Sequence, residues 1–166
     1  AYNRGDIIGE TIQSLVNQEF PAESYEILIC DNNSTDNTKE VVENFSKNNR
    51  GVKIHYYLEK RQGVHYARNS TAHKANGEYI YFTDDDMIAE ADLLKRFEYW
   101  SNKFPDVSVL GGKVLPRWET KPPNWIVQYF SNSTLSLLDK IEDVVLSKVD
   151  PGIASCHQLI RKDVFL

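Results

Sequence analysis

The residues best suited to chemistry form two acidic groups, and each group directly follows a short apolar run. Asp84, Asp85 and Asp86 come after the run Tyr79–Phe82. Three consecutive carboxylates offer hard oxygen ligands, which suit Mg²⁺ or Mn²⁺ held by one or two carboxylates together with substrate phosphates. An isolated Asp triplet is more often a solvated turn in which one Asp caps a helix. Its position after an apolar strand favours the metal site.

Asp31 stands in the same position after the apolar run Tyr25–Cys30. One carboxylate there can accept a hydrogen bond from an N–H group of a ligand. Ser34, Thr35 and Asp36 are typical of residues that cap the start of a helix, and capping is the role that we predict for them. Ligands of open α/β sheets bind outside the carboxyl ends of the strands. We therefore expect Asp31 and the Asp triplet to share one edge.

Basic and aromatic side chains near these carboxylates could contact a phosphate or a sugar. Lys60, Arg61 and Arg68 lie in the loop and helix before the Asp triplet, and a diphosphate would need such cations. A solvated basic surface is the alternative for them. Trp118 and Trp125 either stack on a sugar or close an edge of the core, and the sequence favours neither role.

Composition excludes several classes of protein. The chain has 166 residues, of which 41% are hydrophobic, and this fits one domain with its own core. Its formal net charge of -5 gives no overall basic surface for nucleic acid or an anionic membrane. No apolar run approaches the roughly 20 residues that span a bilayer. Cys30 and Cys156 follow no metal-ligand or disulfide spacing, so we predict reduced thiols and a cytoplasmic protein. A place at the inner face of the membrane is left open.

Predicted helices and strands alternate along the chain. Helical spacing begins after Asp6, a possible N-cap, and further helices are predicted after Thr38, over Val64–Ala75 and around Leu93–Trp100. Predicted strands cover Tyr25–Cys30, Val52–Tyr57, Tyr79–Phe82, Val107–Leu115 and Ala154–Ile160. This alternation is typical of a mostly parallel α/β sheet with helical crossovers.

Three segments, in this order, carry a resemblance to a known family. They are Asp31–Thr38, Gly63–Asn69 and Ala75–Asp86, and they resemble glycosyltransferase family 2. Tyr2–Arg4 is similar to the family's motif at the end of its first strand. The resemblance covers roughly residues 1–115, and three motifs in order are more specific than any one of them. It implies a GT-A fold, which is a Rossmann-like α/β fold with a mostly parallel central sheet flanked by helices.

The resemblance also implies roles for single residues in binding a nucleotide-sugar. Asp31 is expected to recognise the N3–H of uracil, a donor that cytosine lacks. Tyr2 and Arg68 are expected to help hold the nucleoside. Arg4 and Asn33 belong to the same predicted nucleotide-sugar-binding set.

The Asp triplet resembles the family's DxD element. Asp86 is expected to be the direct metal ligand, with Asp84 as a second ligand. Asp84 or Asp85 would otherwise meet the ribose of the donor. The implied cofactor is Mn²⁺ or Mg²⁺, which bridges the diphosphate.

The implied activity is metal-dependent and inverting: it moves a sugar from a UDP-sugar donor to a saccharide or lipid-linked acceptor, as in polysaccharide biosynthesis. The alternative is a metal-dependent sugar-binding or adhesion module without catalysis. The usual loop of that module, Asp-x-Ser-x-Ser, is out of register at Asp31-Asn32-Asn33-Ser34. A phosphoacceptor domain and a nucleotidyltransferase also fit the sequence less well. Neither the lone Asp of the first nor the glycine-rich phosphate loop of the second is visible.

The resemblance implies a donor half and an acceptor-side segment, and it assigns no catalytic base within the chain. Residues 1–115 are predicted to be the nucleotide-sugar-binding half, and 116–166 a partial acceptor-side segment of the same domain. We expect further residues before Ala1 and after Leu166, since the family's base usually lies in an acidic motif beyond this segment. No spacing selects a base among the acidic or basic candidates inside the chain: Glu142, Asp143, Asp150 and His157.

Overall fold

The computed structural model describes residues 1–49, 51–118, 120–128 and 153–165. Five strands and six helices alternate along these residues, and the last strand runs directly into the last helix. A short 3₁₀ turn, Ala22–Ser24, precedes the first strand. The strands are β1 Glu26–Asp31, β2 Lys53–Leu58, β3 Tyr79–Thr83, β4 Val109–Gly111 and β5 His157–Arg161. The helices are α1 Ile8–Val16, α2 Thr38–Asn48, α3 Val64–Ala72, α4 Leu93–Lys103, α5 Asn124–Gln128 and α6 Lys162–Phe165.

The described strands pair in two groups. β1 and β2 are parallel, in a register that runs from Glu26 opposite Lys53 to Asp31 opposite Leu58. β5 lies between β3 and β4 and is antiparallel to both, so β3 and β4 point in the same direction. Antiparallel pairing sets the first residue of β5, His157, opposite the last residue of β3, Thr83. The chain just before β5 therefore lies beside the Asp triplet.

Helices α1 and α2 pack on the β1–β2 pair. Burial alternates along β1, and its inward side chains meet one face of each helix. Ile12 of α1 and Val42 of α2 are 1% and 0% exposed. This apolar contact positions β1, and with it the carboxyl end that carries Asp31.

Two smaller apolar clusters tie the other strands to their helices. Ala72 and Ala75, at the end of α3, pack with Ile80 of β3, and Leu28 of β1 contacts the same cluster. Leu93 and Phe97 of α4 pack with Leu159 of β5. Because α3 contacts both β1 and β3, it helps to place their carboxyl ends near each other.

Most predicted elements are present, with different bounds. α1 begins at Ile8 and its N-cap is Ile7, so the predicted N-cap Asp6 is wrong. α3 ends at Ala72 because the amides of Lys74 and Ala75 bond three residues back, in tighter turns than an α-helix.

The predicted strand Val107–Leu115 is reduced to the three residues of β4, which pair with β5. Gly111 is the last residue of this strand, and Gly112 follows it. No helix in the described part of the chain is long and apolar enough to cross a bilayer.

Candidate functional site

Asp31 ends β1 as a buried carboxylate with both oxygens hydrogen-bonded. Its side chain faces inward with Ile27 and Ile29, and the residue is 2% exposed. The Ser34 N–H donates to Oδ1 at 2.8 Å, and the Tyr56 hydroxyl donates to Oδ2 at 2.7 Å. Burial and this neighbouring carboxylate raise the pKa of Tyr56. Each oxygen of Asp31 keeps one lone pair for a further donor.

Asn32, which we did not predict as a site residue, binds the loop that follows β2. Its side-chain nitrogen donates to the carbonyl oxygens of Glu59 at 3.0 Å and Arg61 at 2.6 Å. Its side-chain oxygen accepts the N–H of Gly63 at 2.8 Å. Gly63 has a φ of 138°, which a side chain would strain, so glycine suits this turn into α3. The only sequence signal is an Asn directly after a buried strand.

The segment that holds Tyr2 and Arg4 lies against the same strand end. The main chain of Ala1 donates to Cys30 O at 2.7 Å and accepts from the Asn32 N–H at 2.7 Å, in the pattern of a parallel bridge. Tyr2 is 49% exposed at this edge. The structure thus brings the predicted residues Tyr2, Arg4 and Asp31 together.

Ser34 and Thr35 bind this segment instead of capping α2, so our prediction for them is wrong. The Asn3 side chain accepts the Thr35 N–H at 2.8 Å, and the Asn3 N–H donates to the Ser34 hydroxyl at 2.9 Å. These contacts link residues about thirty positions apart, which local sequence does not reveal. Asp36 does contact the start of α2, where it accepts from the Thr38 hydroxyl and N–H. The Thr38 hydroxyl is the main cause that lowers the pKa of Asp36.

Two of the three carboxylates after β3 are paired with arginines. Asp84 accepts a hydrogen bond from Arg68 at 2.9 Å, and the same guanidinium nitrogen donates to Ser155 O at 3.1 Å. Asp85 lies 3.2 Å from the Arg4 guanidinium. Asp86 is exposed, and its carboxylate has no hydrogen bond or ion pair with the described residues. Of the triplet, Asp86 is thus the carboxylate available to a ligand.

The two acidic groups lie at one edge of the fold. The main-chain nitrogen of Ala1 lies 2.7 Å from Cys30 O and 3.7 Å from the Asp85 carboxylate. Arg4 also joins them, because its N–H donates to Thr38 and its guanidinium pairs with Asp85. One ligand the size of a nucleotide can therefore contact both groups.

The triplet suits a hard divalent cation only with help from a ligand. Within the described ranges, no three His, Cys, Asp or Glu side chains are gathered to hold a metal ion. Arg68 and Arg4 occupy Asp84 and Asp85, which leaves Asp86 as the oxygen donor at hand. Mg²⁺ sites built from one or two carboxylates plus phosphates and waters have this limited protein contribution.

The remaining predicted residues differ in their surroundings. Asn33 is exposed with a φ of 69°, and this turn aims the Ser34 N–H at Asp31. Arg61 donates three hydrogen bonds to Glu59 at 2.9 Å each, two from its guanidinium and one from its main chain, and they lower the pKa of Glu59 to about 2. Arg68 contacts the triplet directly, whereas Arg61 is held in its own loop. Trp118 and Trp125 are 42% and 64% exposed and belong to none of the three apolar clusters.

His157, one candidate for the catalytic base, is buried at the start of β5, opposite Thr83 of β3. It is 8% exposed, and its Nδ1 lies 2.8 Å from the Tyr81 hydroxyl. Burial lowers the pKa of His157, and burial raises the pKa of Tyr81 to about 12. The other candidates lie outside the described residues: Glu142, Asp143 and Asp150.

Comparisons with known proteins agree on one family. The family model described as Glycosyl transferase family 2 matches residues 1–166. A poly(ribitol-phosphate) beta-glucosyltransferase of Bacillus spizizenii is 32% identical over 129 residues, which cover 74% of this chain and 20% of that protein. The chain spans well under half the length of the first curated relatives that it matches.

Solved structures share the fold. The crystal structure of Staphylococcus aureus TarS 1–349 in complex with UDP matches with a TM-score of 0.65 and 26% identity, over 74% of this chain and 36% of that one. The mannosyltransferase PcManGT from Pyrobaculum calidifontis, in complex with GDP-Man and Mn²⁺, matches with a TM-score of 0.65 and 25% identity, over 70% and 34%. The predicted α/β GT-A fold is confirmed by this likeness.

Proposed function

This chain belongs to glycosyltransferase family 2, and from that premise we propose that it binds a UDP-sugar with Mn²⁺ or Mg²⁺ and transfers the sugar, with inversion, to a saccharide or lipid-linked acceptor. One observation carries the proposal. A buried, hydrogen-bonded carboxylate, Asp31, and an exposed one, Asp86, which pairs with none of the described residues, lie at the same edge of the fold. The first suits a nucleobase and the second suits a cation on the diphosphate.

The choice of uracil rests on Asp31. Uracil offers one N–H donor at N3, and Asp31 has a lone pair left on each oxygen after bonding Ser34 and Tyr56. Guanine offers two adjacent N–H donors and would need both oxygens at once. The UDP bound to TarS supports uracil, whereas the GDP-Man bound to PcManGT makes guanine the competitor to test. Tyr2 and Asn33 complete the proposed nucleoside surface, and Arg4 belongs to the proposed diphosphate surface.

The diphosphate is proposed to lie along the Asp triplet. Asp86 would hold the metal ion, and Asp84 would join it after releasing Arg68. Arg68 and Arg4 would then be free to pair with phosphate oxygens, which bind arginine with two parallel hydrogen bonds. When bound, the cation neutralises charge on the departing nucleoside diphosphate.

Inversion by single displacement needs a base. The acceptor hydroxyl oxygen forms a bond to the anomeric carbon, the bond to the diphosphate oxygen breaks, and the base takes the hydroxyl proton. We assign no residue to this role. His157 is buried on Tyr81, so it does not qualify.

We propose that residues 1–115 form the donor-binding half of the domain and that residues 116–166 form part of its acceptor side. A cytoplasmic location also stays a prediction.

Calorimetric titration of the chain tests the proposal. UDP should bind with Mn²⁺ present and much more weakly without it, and more tightly than GDP or CDP. Asp86→Ala should remove the effect of Mn²⁺. Asp31→Ala should weaken UDP binding by about tenfold to hundredfold, the range of hydrogen bonds to charged groups. The control is Asp106→Ala, because Asp106 is exposed in the turn after α4.

Three results would contradict the proposal. Equal binding of UDP in the Asp31→Ala variant would exclude the base-recognition role. Tighter binding of GDP than of UDP would indicate a GDP-sugar donor instead of a UDP-sugar donor. Binding of Mn²⁺ and a saccharide with indifference to nucleotides would favour the sugar-binding or adhesion module.

A further inference from the structure

We propose that Tyr56 is a positioning residue whose hydroxyl holds Asp31 in the orientation that accepts the N3–H of uracil, and that it thereby sets the preference for uracil over cytosine. This inference rests on the proposed function, since it concerns the same base-recognition carboxylate. None of the three sequence motifs includes Tyr56, which lies in the middle of β2.

The carboxylate of Asp31 is held at both oxygens. The Tyr56 hydroxyl donates to Oδ2 at 2.7 Å and the Ser34 N–H donates to Oδ1 at 2.8 Å. Rotation of the carboxylate would break both bonds, and at 2% exposure water does not replace them readily. Ser34 contributes through its main chain, so Tyr56 is the side chain that substitution can remove.

Tyr56 itself is fixed by packing. It stands opposite Ile29 in the parallel register, two residues before Asp31 along β1. Its ring packs against the apolar cluster of α1, α2, β1 and β2, and Lys39 Nζ lies 5.9 Å from the ring centroid. The hydroxyl therefore reaches Asp31 from a rigid strand rather than from a loop, which is what a positioning contact requires.

The direction of the hydrogen bond from Tyr56 to Asp31 affects which nucleobase Asp31 can bind. The Asp31 carboxylate accepts the Tyr56 hydroxyl at Oδ2, and a carboxylate offers only acceptor sites to a ligand. Uracil N3 carries a hydrogen and matches that acceptor. Cytosine N3 is itself an acceptor and matches only a donor. Loss of the Tyr56 hydroxyl should therefore weaken UDP binding and leave CDP binding as it is.

The experiment compares Tyr56→Phe with Tyr57→Phe by calorimetric titration of UDP and CDP in the presence of Mn²⁺. Tyr57 is the next residue on β2, and its hydroxyl makes no hydrogen bond within the described part of the chain, so its removal is a matched control. Tyr56→Phe should weaken UDP binding by about twofold to tenfold, the cost of ordering one side chain on binding. CDP binding should not change, and Tyr57→Phe should alter neither nucleotide.

If Tyr56 had only a general structural role, its substitution would weaken the binding of UDP and of CDP equally. The ratio of UDP affinity to CDP affinity therefore distinguishes the two roles. An unchanged ratio in a folded Tyr56→Phe variant overturns the inference. Asp31→Asn separates this failure from failure of the proposed function. If Asp31→Asn lowers the ratio and Tyr56→Phe does not, only the role of Tyr56 is wrong. If Asp31→Asn leaves the ratio unchanged, base recognition by Asp31 is wrong as well.

A second measurement needs no variant. In proton NMR of the unaltered chain, the Tyr56 hydroxyl proton, assigned through its own ring, should exchange slowly with water and stay protected when UDP binds. Rapid exchange, or loss of protection on adding UDP, would contradict a hydrogen bond that holds Asp31 in the complex.

Discussion

The edge of the fold has two acidic regions with opposite physical character. Around Asp31, the carboxylate is buried and its donors come from a main chain and a packed tyrosine. Around the Asp triplet, Asp84 has 47% of its side chain exposed and its partner Arg68 has 27%. The first region is fixed by the fold, and the second is held by ion pairs that other charges can replace.

This difference fits the two parts of a nucleotide-sugar. A neutral nucleobase is recognised through the angle and position of single hydrogen bonds, so a carboxylate held in place before binding avoids an ordering cost. A charged diphosphate with a cation brings its own strong charges. Exposed ion pairs contribute little, about 0 to 1 kcal/mol, so exchanging them costs little.

The largest expected effect is on stability at the buried region. Asn32→Ala removes three hydrogen bonds to the loop after β2, at about 1 kcal/mol each, so the free energy of unfolding should fall by about 3 kcal/mol. Gln62→Ala, which removes one bond to the Asn32 carbonyl, should cost about 1 kcal/mol. Asp86→Ala should stay within about 0.5 kcal/mol. Urea unfolding measures the free energy of unfolding of all three variants. Equal losses in the three would contradict the difference between the two regions.

A smaller effect is expected at the triplet. Arg68→Ala breaks the pair with Asp84 and the bond to Ser155, and the free energy of unfolding should fall by less than about 1 kcal/mol. Added salt should shrink the difference from the unaltered chain. Arg96→Ala breaks an exposed pair with Asp92 on α4 and is the control for stability. UDP affinity should fall in Arg68→Ala and not in Arg96→Ala. If Arg68→Ala lost as much stability as Asn32→Ala, the region around the Asp triplet would be fixed by the fold, as the region around Asp31 is.

The smallest expected effect concerns pH and the buried His157, which pairs with Thr83. Burial lowers the pKa of His157 from 6.5. Below pH 6.5, this histidine takes up a proton in the unfolded chain before it does so in the folded chain. The contribution of neutral, buried His157 to the free energy of unfolding is therefore fully present above pH 6.5 and is lost as pH falls through the folded pKa. Between about pH 7.5 and about pH 5.5, unfolding free energy should fall less in His157→Gln than in the unaltered chain. His73→Gln, at an exposed position, should show the full fall; identical falls in both variants would contradict the assignment.

The sequence predicted those features that follow from local pattern. Apolar runs of four to six residues are visible in the sequence, and a polar residue directly after such a run lies at a strand end. This placed Asp31 and the Asp triplet at strand ends, where the structure has them. The α/β class followed from the alternation of helical and strand periods.

Features that depend on distant contacts were not predicted. Tyr56 lies 25 residues from the carboxylate it binds, and within β2 it is one more partly buried aromatic residue. Asn32 was not predicted as a site residue, although its side chain binds a loop about thirty residues away. The predicted caps Ser34 and Thr35 bind Asn3, which the folded chain brings within hydrogen-bond distance from about thirty positions away. Neither the partner nor the direction of β5 follows from its composition.

A crystal structure of the chain with UDP and Mn²⁺ would place the nucleotide and the metal ion relative to both carboxylates. We expect an anomalous Mn²⁺ peak about 2.1 Å from an oxygen of Asp86, in contact with the diphosphate. We also expect uracil N3 about 2.9 Å from the Asp31 carboxylate. A nucleotide bound with its base away from Asp31, or a metal ion bound away from Asp86, would contradict the proposed function.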